Sequence, residues 1–156
     1  MTDGRDWSGH PLVGGWRLRS WVAIAVDGSE TFPMGTSPDG LLAYTPDGTM
    51  VGIMGPGDRP RFAADDVTGG TDAERVLAFE TFIAYGGRYE VAGDTVTHRV
   101  VASLFPNWIG TQQRRRWELD ASGRHLTLTS PPLALGGALR THRLRWDRVG
   151  PDATGD

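Results

Sequence analysis

The chain is 156 residues long with a mass of 16.9 kDa, enough for one hydrophobic core and too short for two ordinary domains. Its 16 basic and 19 acidic residues leave a net charge of -3, so no broad positive field is present to attract nucleic acid. Every basic residue is an arginine and cysteine is absent, which excludes a Schiff-base or P-loop lysine, a thiolate nucleophile, a thiolate-bound metal and any disulfide.

Residues 1–9 read as a polar extension, residues 10–149 as one domain and residues 150–156 as a flexible tail. The opening lacks the apolar core of a signal peptide and no stretch approaches a membrane span, so a cytoplasmic protein without a membrane partner is expected. The 22 glycines and 10 prolines supply many turns, which favours short strands over a helix bundle. A first strand is predicted over 17–26, with Trp16, Leu18, Ser20, Val22 and Ile24 inward and Arg17, Arg19 and Trp21 outward by alternation. An irregular crossover comes next at 31–35, then a hairpin in which Leu41–Tyr44 and Met50–Met54 flank a Pro46-Asp47-Gly48 turn.

Residues 55–70 hold too many glycines and prolines for a strand and read as a lid over one end. Thr71 and Glu74 match a capping box, and Val76, Leu77, Phe79, Phe82 and Ile83 form an apolar stripe, predicting a three-turn helix that ends near Gly86. That face either seals the core or meets a partner. Strand signals continue over 88–91, 95–105, 112–119, 124–130 and 139–149. The total is about eight strands, so the expected fold class is mainly β: an approximately eight-stranded antiparallel barrel with one helical insertion.

Alternation places His98 among Val96, Val100, Ala102 and Leu104, and His142 among Leu144 and Trp146. Such histidines either orient a ligand and move a proton, or are core residues satisfied by a neighbouring hydroxyl or carbonyl. Arg115 shares parity with Trp117 and Leu119 and either enters the barrel or lies on a solvated edge with Arg114 and Arg116. The candidate catalytic set is His98, His142 and Tyr44. Candidate ligand contacts are Tyr44, Tyr85, Tyr89, His98, Trp108, Arg115, Trp117, His142 and Trp146. Trp16 reads as a structural plug or a ligand-stacking ring. No metal site is expected, because His10, His98, His125 and His142 lack ligand spacing, and His125 faces away from Leu126 and Leu128. No cofactor motif is present: there is no dinucleotide or P-loop fingerprint and no nucleophile elbow.

Leu12-Val-Gly-Gly-Trp-Arg-Leu18, the Tyr44-to-Gly48 hairpin, the Phe82-to-Tyr89 segment, Thr95-Val-Thr-His98 and Ser103-to-Gly110 with its Pro106-Asn107-Trp108 core together resemble the small bacterial and fungal lipocalin-like domains. The resemblance spans residues 10–149 and implies a calycin-like barrel. It further implies that Trp16, in the Gly14-x-Trp16 motif, packs at the closed end beneath an arginine of the last strand, matched by Arg148 or alternatively Arg145. The absence of a signal peptide and disulfides, and the helical insertion, depart from secreted lipocalins and argue against extracellular transport. Relatives of this kind stand alone or beside biosynthetic enzymes. The resemblance therefore implies binding of a small hydrophobic or amphipathic molecule, with a cofactor-independent cyclase or isomerase of natural-product biosynthesis as the alternative. A structural or partner-binding barrel is the third reading, and the oligomeric state is open.

Overall fold

A computed structural model describes residues 4–150. Residues 1–3 of the expected extension and 151–156 of the expected tail lie outside the described residues. The strands are β1 (Gly14–Ile24), β2 (Glu30–Thr31), β3 (Pro38–Tyr44), β4 (Thr49–Pro56), β5 (Ile83–Ala92), β6 (Thr95–Ser103), β7 (Gln112–Leu119), β8 (His125–Thr129), β9 (Leu133–Leu135) and β10 (Ala138–Arg148). One α-helix, α1 (Asp72–Glu80), precedes β5, and a 3-10 turn (Pro106–Trp108) comes after β6. Eight strands in the order β1-β3-β4-β5-β6-β7-β8-β10 pair antiparallel, and β10 returns to β1. Closure satisfies every edge of the cylinder. The two short strands, β2 and β9, are flaps on β1 and β10 at one end.

The hairpin between β3 and β4 arises from its turn residues. Asp47 accepts from the Thr49 N–H at 3.1 Å, and Gly48 has φ 87°, a value that glycine adopts without a steric penalty. Packing begins before residue 10. Trp7 donates its backbone N–H to Pro46 O at 2.8 Å, and its ring lies 5.6 Å from that of Tyr89.

The expected alternation of β1 holds only for its first half. Trp16 pairs with Arg148 and Leu18 with Trp146, but Ser20 pairs with Arg145, so a bulge adds one residue between Leu18 and Ser20. Beyond it the phase inverts: Trp21 and Ala23 are buried, while Val22 and Ile24 are only partly so. A bulge shifts facing by one residue, and simple parity does not anticipate it.

The helix also departs from expectation. Thr71 and Glu74 form the capping box, but α1 stops at Glu80 and Ile83 already opens β5. Phe82 and Ile83 therefore belong to the turn and the strand. None of the α1 residues is buried, and Val76, Leu77 and Phe79 stand half exposed, so the helix does not seal the core. On β6, Val96, His98 and Val100 face inward as expected, whereas Ala102 and Leu104 are exposed. A second bulge is the cause: Gly86 pairs with Ala102 but Gly87 with Val100.

One end of the barrel is shut. Trp16 is fully buried, its indole N–H donates to Leu12 O at 3.0 Å, and the Arg148 guanidinium lies 4.2 Å above its ring. Arg148 donates to Val13 O at 2.9 Å, Gly123 O at 3.0 Å and Pro11 O at 2.5 Å. Arg145, the alternative partner, is exposed on the outer face. This cap joins the start of β1, the end of β10 and the turn before β8, and contributes on the order of a few kcal/mol through ring burial.

Candidate ligand-binding site

The half of the barrel beyond Trp16 encloses a chamber. Its floor and walls are Trp21 from β1, Leu42 from β3, Met54 from β4, Tyr85 from β5, His98 from β6 and Arg115 from β7, continued by Leu128, His142 and Trp146. Trp108 on the 3-10 turn and Leu133 on β9 roof it. The void is about 40 Å³, close to what a single water requires. Above it, a groove of about 570 Å³ runs between α1, the 3-10 turn and β9, and shares Ile83 and Trp108 with the chamber. Chamber and groove thus meet at the Ile83 side chain and at the Trp108 indole, which sits on a turn of three residues.

His98 is the centre of the polar wall. It is 1% exposed, with Tyr44 Oη 2.7 Å from Nε2 and Tyr85 Oη 2.8 Å from Nδ1. Burial, with a smaller contribution from the Arg115 charge, pushes its pKa down to about 3, so the ring is neutral at physiological pH. A neutral imidazole has one N–H and one lone pair. One tyrosine therefore donates to it and the other accepts. Tyr44 is buried and does not line the chamber, whereas Tyr85 does. The arrangement that strands no proton behind the wall has Tyr44 donating to Nε2 and Nδ1–H donating to Tyr85, which leaves the Tyr85 O–H for the chamber. Burial raises the pKa of both hydroxyls, so both keep their protons.

His142 is held in a second chain. Trp21 Nε1 donates to its Nδ1 at 3.0 Å, which assigns the proton to Nε2, 3.4 Å from Leu133 O. Its backbone N–H donates to Ser130 Oγ at 3.0 Å. Burial lowers its pKa. The residue ties β1, β8, β10 and β9 together at the roof.

The remaining candidates separate by height along the barrel. Trp108 and Trp146 line the chamber, and Trp108 meets Tyr85 edge to face at 5.4 Å. Tyr89 and Trp117 do not line it. Tyr89 donates its hydroxyl to Thr45 O at 2.7 Å, and Trp117 donates to Gly93 O at 3.0 Å with its ring 5.6 Å from His10. Both serve the Trp16 end. His125 lies outside, 2.8 Å from Asp147. Trp21 and Ser130 belong to the wall without having been singled out in the sequence. The bulge hid Trp21, and Ser130 carries no signal beyond its place before Pro131-Pro132. Among the described residues, no cluster of three or more metal-ligating side chains is present, and no helix is long and apolar enough to cross a membrane.

Comparison with known proteins adds relatives. The chain is 31% identical over 105 residues, 62% of its length and 93% of the other's, to the 4'-hydroxy-3'-methoxypropiophenone carrier protein ppsC of Aspergillus oryzae. Among solved structures, a lipocalin-like protein from Bacteroides uniformis is 16% identical with a TM-score of 0.47, covering 89% of this chain and 99% of that one. A variant of the fluorescent protein UnaG is 12% identical with a TM-score of 0.38, covering 88% and 96%. The sequence model of the lipocalin-like domain matches residues 13–149, nearly the whole barrel from the Trp16 cap to the end of β10, and the chain therefore belongs to the lipocalin-like domain family.

Proposed function

We propose that the protein is a non-covalent carrier of a small aromatic or amphipathic molecule, held in the chamber between His98 and Trp108. The observation that carries this reading is the wall itself: a few hydrogen-bonding side chains set among aromatic and aliphatic ones at the uncapped end of the barrel. Such a lining orients a ligand while apolar burial supplies affinity. The carrier relative, whose name specifies an aromatic ketone, supports the same class. With a void of about 40 Å³, a guest larger than water must displace part of the wall. Trp108, on its short turn between chamber and groove, is the side chain placed to yield.

Titration with 4'-hydroxy-3'-methoxypropiophenone, the compound named for the relative, and with simpler aryl ketones tests this by calorimetry. Saturable one-to-one binding, with Trp108→Ala accelerating both association and release, is expected. A folded protein that binds none of them, and whose kinetics Trp108→Ala leaves untouched, overturns the reading. The Tyr44–His98–Tyr85 chain favours one second reading, a cofactor-independent isomerase or cyclase in which Tyr85 delivers a proton. Recovery of the bound compound distinguishes them. Unchanged compound supports carriage, whereas a rearranged product whose formation His98→Gln abolishes supports catalysis.

A further inference from the structure

The hydrogen-bonding groups on the chamber wall are one-sided in what they leave for a guest. Both nitrogens of His98 are taken by tyrosines, and both nitrogens of His142 are engaged by Trp21 and Leu133. Ser130 Oγ, also on the wall, already accepts the His142 N–H and keeps its hydroxyl proton, so the groups left without a partner are chiefly donors. With Nδ1–H of His98 donating to its oxygen, Tyr85 keeps its own O–H free. Trp146 is 1% exposed, lines the chamber, and its indole N–H has no partner. A buried N–H without an acceptor is costly and rare in a native fold.

Arg115 adds charge to this set. It donates to Arg114 O at 2.8 Å and Gln113 Oε1 at 3.5 Å, both on its own strand, and it also reaches the Tyr85 hydroxyl, where its charge and a hydrogen bond to the oxygen oppose the effect of burial. Among the described residues it has no carboxylate within ion-pair distance, whereas Arg17, Arg19, Arg75, Arg99, Arg116 and Arg143 each do. It has no aromatic ring beneath it either, unlike Arg148 and Arg59. No aspartate or glutamate lines the chamber. A partly buried guanidinium facing apolar walls is favourable when an anion meets it.

We infer that the chamber is built for an organic acid: an aromatic or amphipathic molecule with an ionised oxygen that sits against Arg115 and takes hydrogen bonds from Tyr85 and Trp146. This rests on the carrier reading and narrows it. A ketone presents an acceptor oxygen to the same donors but leaves the Arg115 charge unanswered, so the acid is the preferred guest.

The probes are two matched pairs, acetophenone with benzoate and the naphthyl analogues bearing the same two groups. Each pair differs by a methyl against an ionised oxygen. With the unmodified protein, each carboxylate binds about tenfold more tightly than its ketone, the difference expected for one charge-assisted contact. Arg115→Gln lowers carboxylate affinity by about tenfold and moves ketone affinity by less than about twofold, while Arg115→Lys restores part of the loss. Ketones that bind as tightly as the acids, or an Arg115→Gln variant that weakens both alike, overturn the inference and leave the carrier reading standing. Absence of binding by all four compounds overturns both. The comparison on unmodified protein decides the matter even if a variant folds poorly.

Discussion

At the scale of single residues, His98 makes stability depend on pH in a direction that can be worked out. Its pKa is about 3 in the folded protein against an ordinary 6.5, so between those values the unfolded chain takes up a proton that the folded one refuses. Stability from this residue is complete above the ordinary value and falls as pH drops toward the folded one. Between about pH 7 and pH 5 the unmodified protein should lose about 2 kcal/mol more than a His98→Gln variant, read by urea unfolding. Equal losses would show that His98 is not held neutral. His98 and His142 were legible in the sequence because alternation on β6 and β10 is unbroken where they sit. Tyr89 and Trp117 show the limit of that logic, since parity separates inside from outside but carries no information on height along the barrel. The partners of His98 were likewise out of reach, because Tyr44 is 54 residues away in the chain.

At the scale of elements, the bulges account for the misread faces. The bulge on β6 adds Val101 where two glycines of β5 face it, and a Cβ at Gly87 would stand 1.9 Å from Arg99 O, closer than any side chain tolerates. Gly87→Ala should therefore cost about 3 kcal/mol or prevent folding, since the obstruction is backbone and cannot swing aside. Gly15→Ala is the control: its Cβ meets nothing nearer than 3.8 Å, so it should cost less than about 1 kcal/mol. Thermal melts tracked by circular dichroism would separate the two. A Gly87→Ala protein as stable as the control would mean that β5 and β6 can part without consequence. The helix shows a related ambiguity. Apolar residues from Val76 to Ile83 fit a helical stripe, yet the helix ends at Glu80, where Thr81 caps it through its N–H to Leu77 O at 3.1 Å. The stripe joined the exposed face of α1 to the first residue of a strand.

At the scale of the molecule, the barrel divides into a capped half and a binding half. Arg148 and Trp16 lie with Leu12, Tyr89 and Trp117 at the first, and the chamber lining does not include them. Arg148→Ala removes the cation above Trp16 and leaves three backbone carbonyls without their donor, so it should destabilise the fold by about 2 kcal/mol. Ligand affinity in the chamber should change by less than about twofold, because each 1.4 kcal/mol transmitted between the halves would move it tenfold. Parallel losses in unfolding and binding titrations would show that the halves are coupled. The number of strands and the hairpin were readable because each rests on local chemistry, and the Trp16 cap because its motif resembles that of the lipocalin-like domains. The void was not, since its size is set by how side chains from many strands fill the middle.

The bulge in β1 has a consequence for how this chain can vary in length. Removing either Arg19 or Ser20 would straighten the strand and still leave Leu18 and Trp21 both facing inward, because the ladder to β10 already skips one residue there. Removing a residue from the uninterrupted stretch between Trp21 and Ile24 would turn the remainder of the strand inside out. Insertions and deletions in β1 are therefore absorbed at one point, where the strand passes from the cap to the chamber.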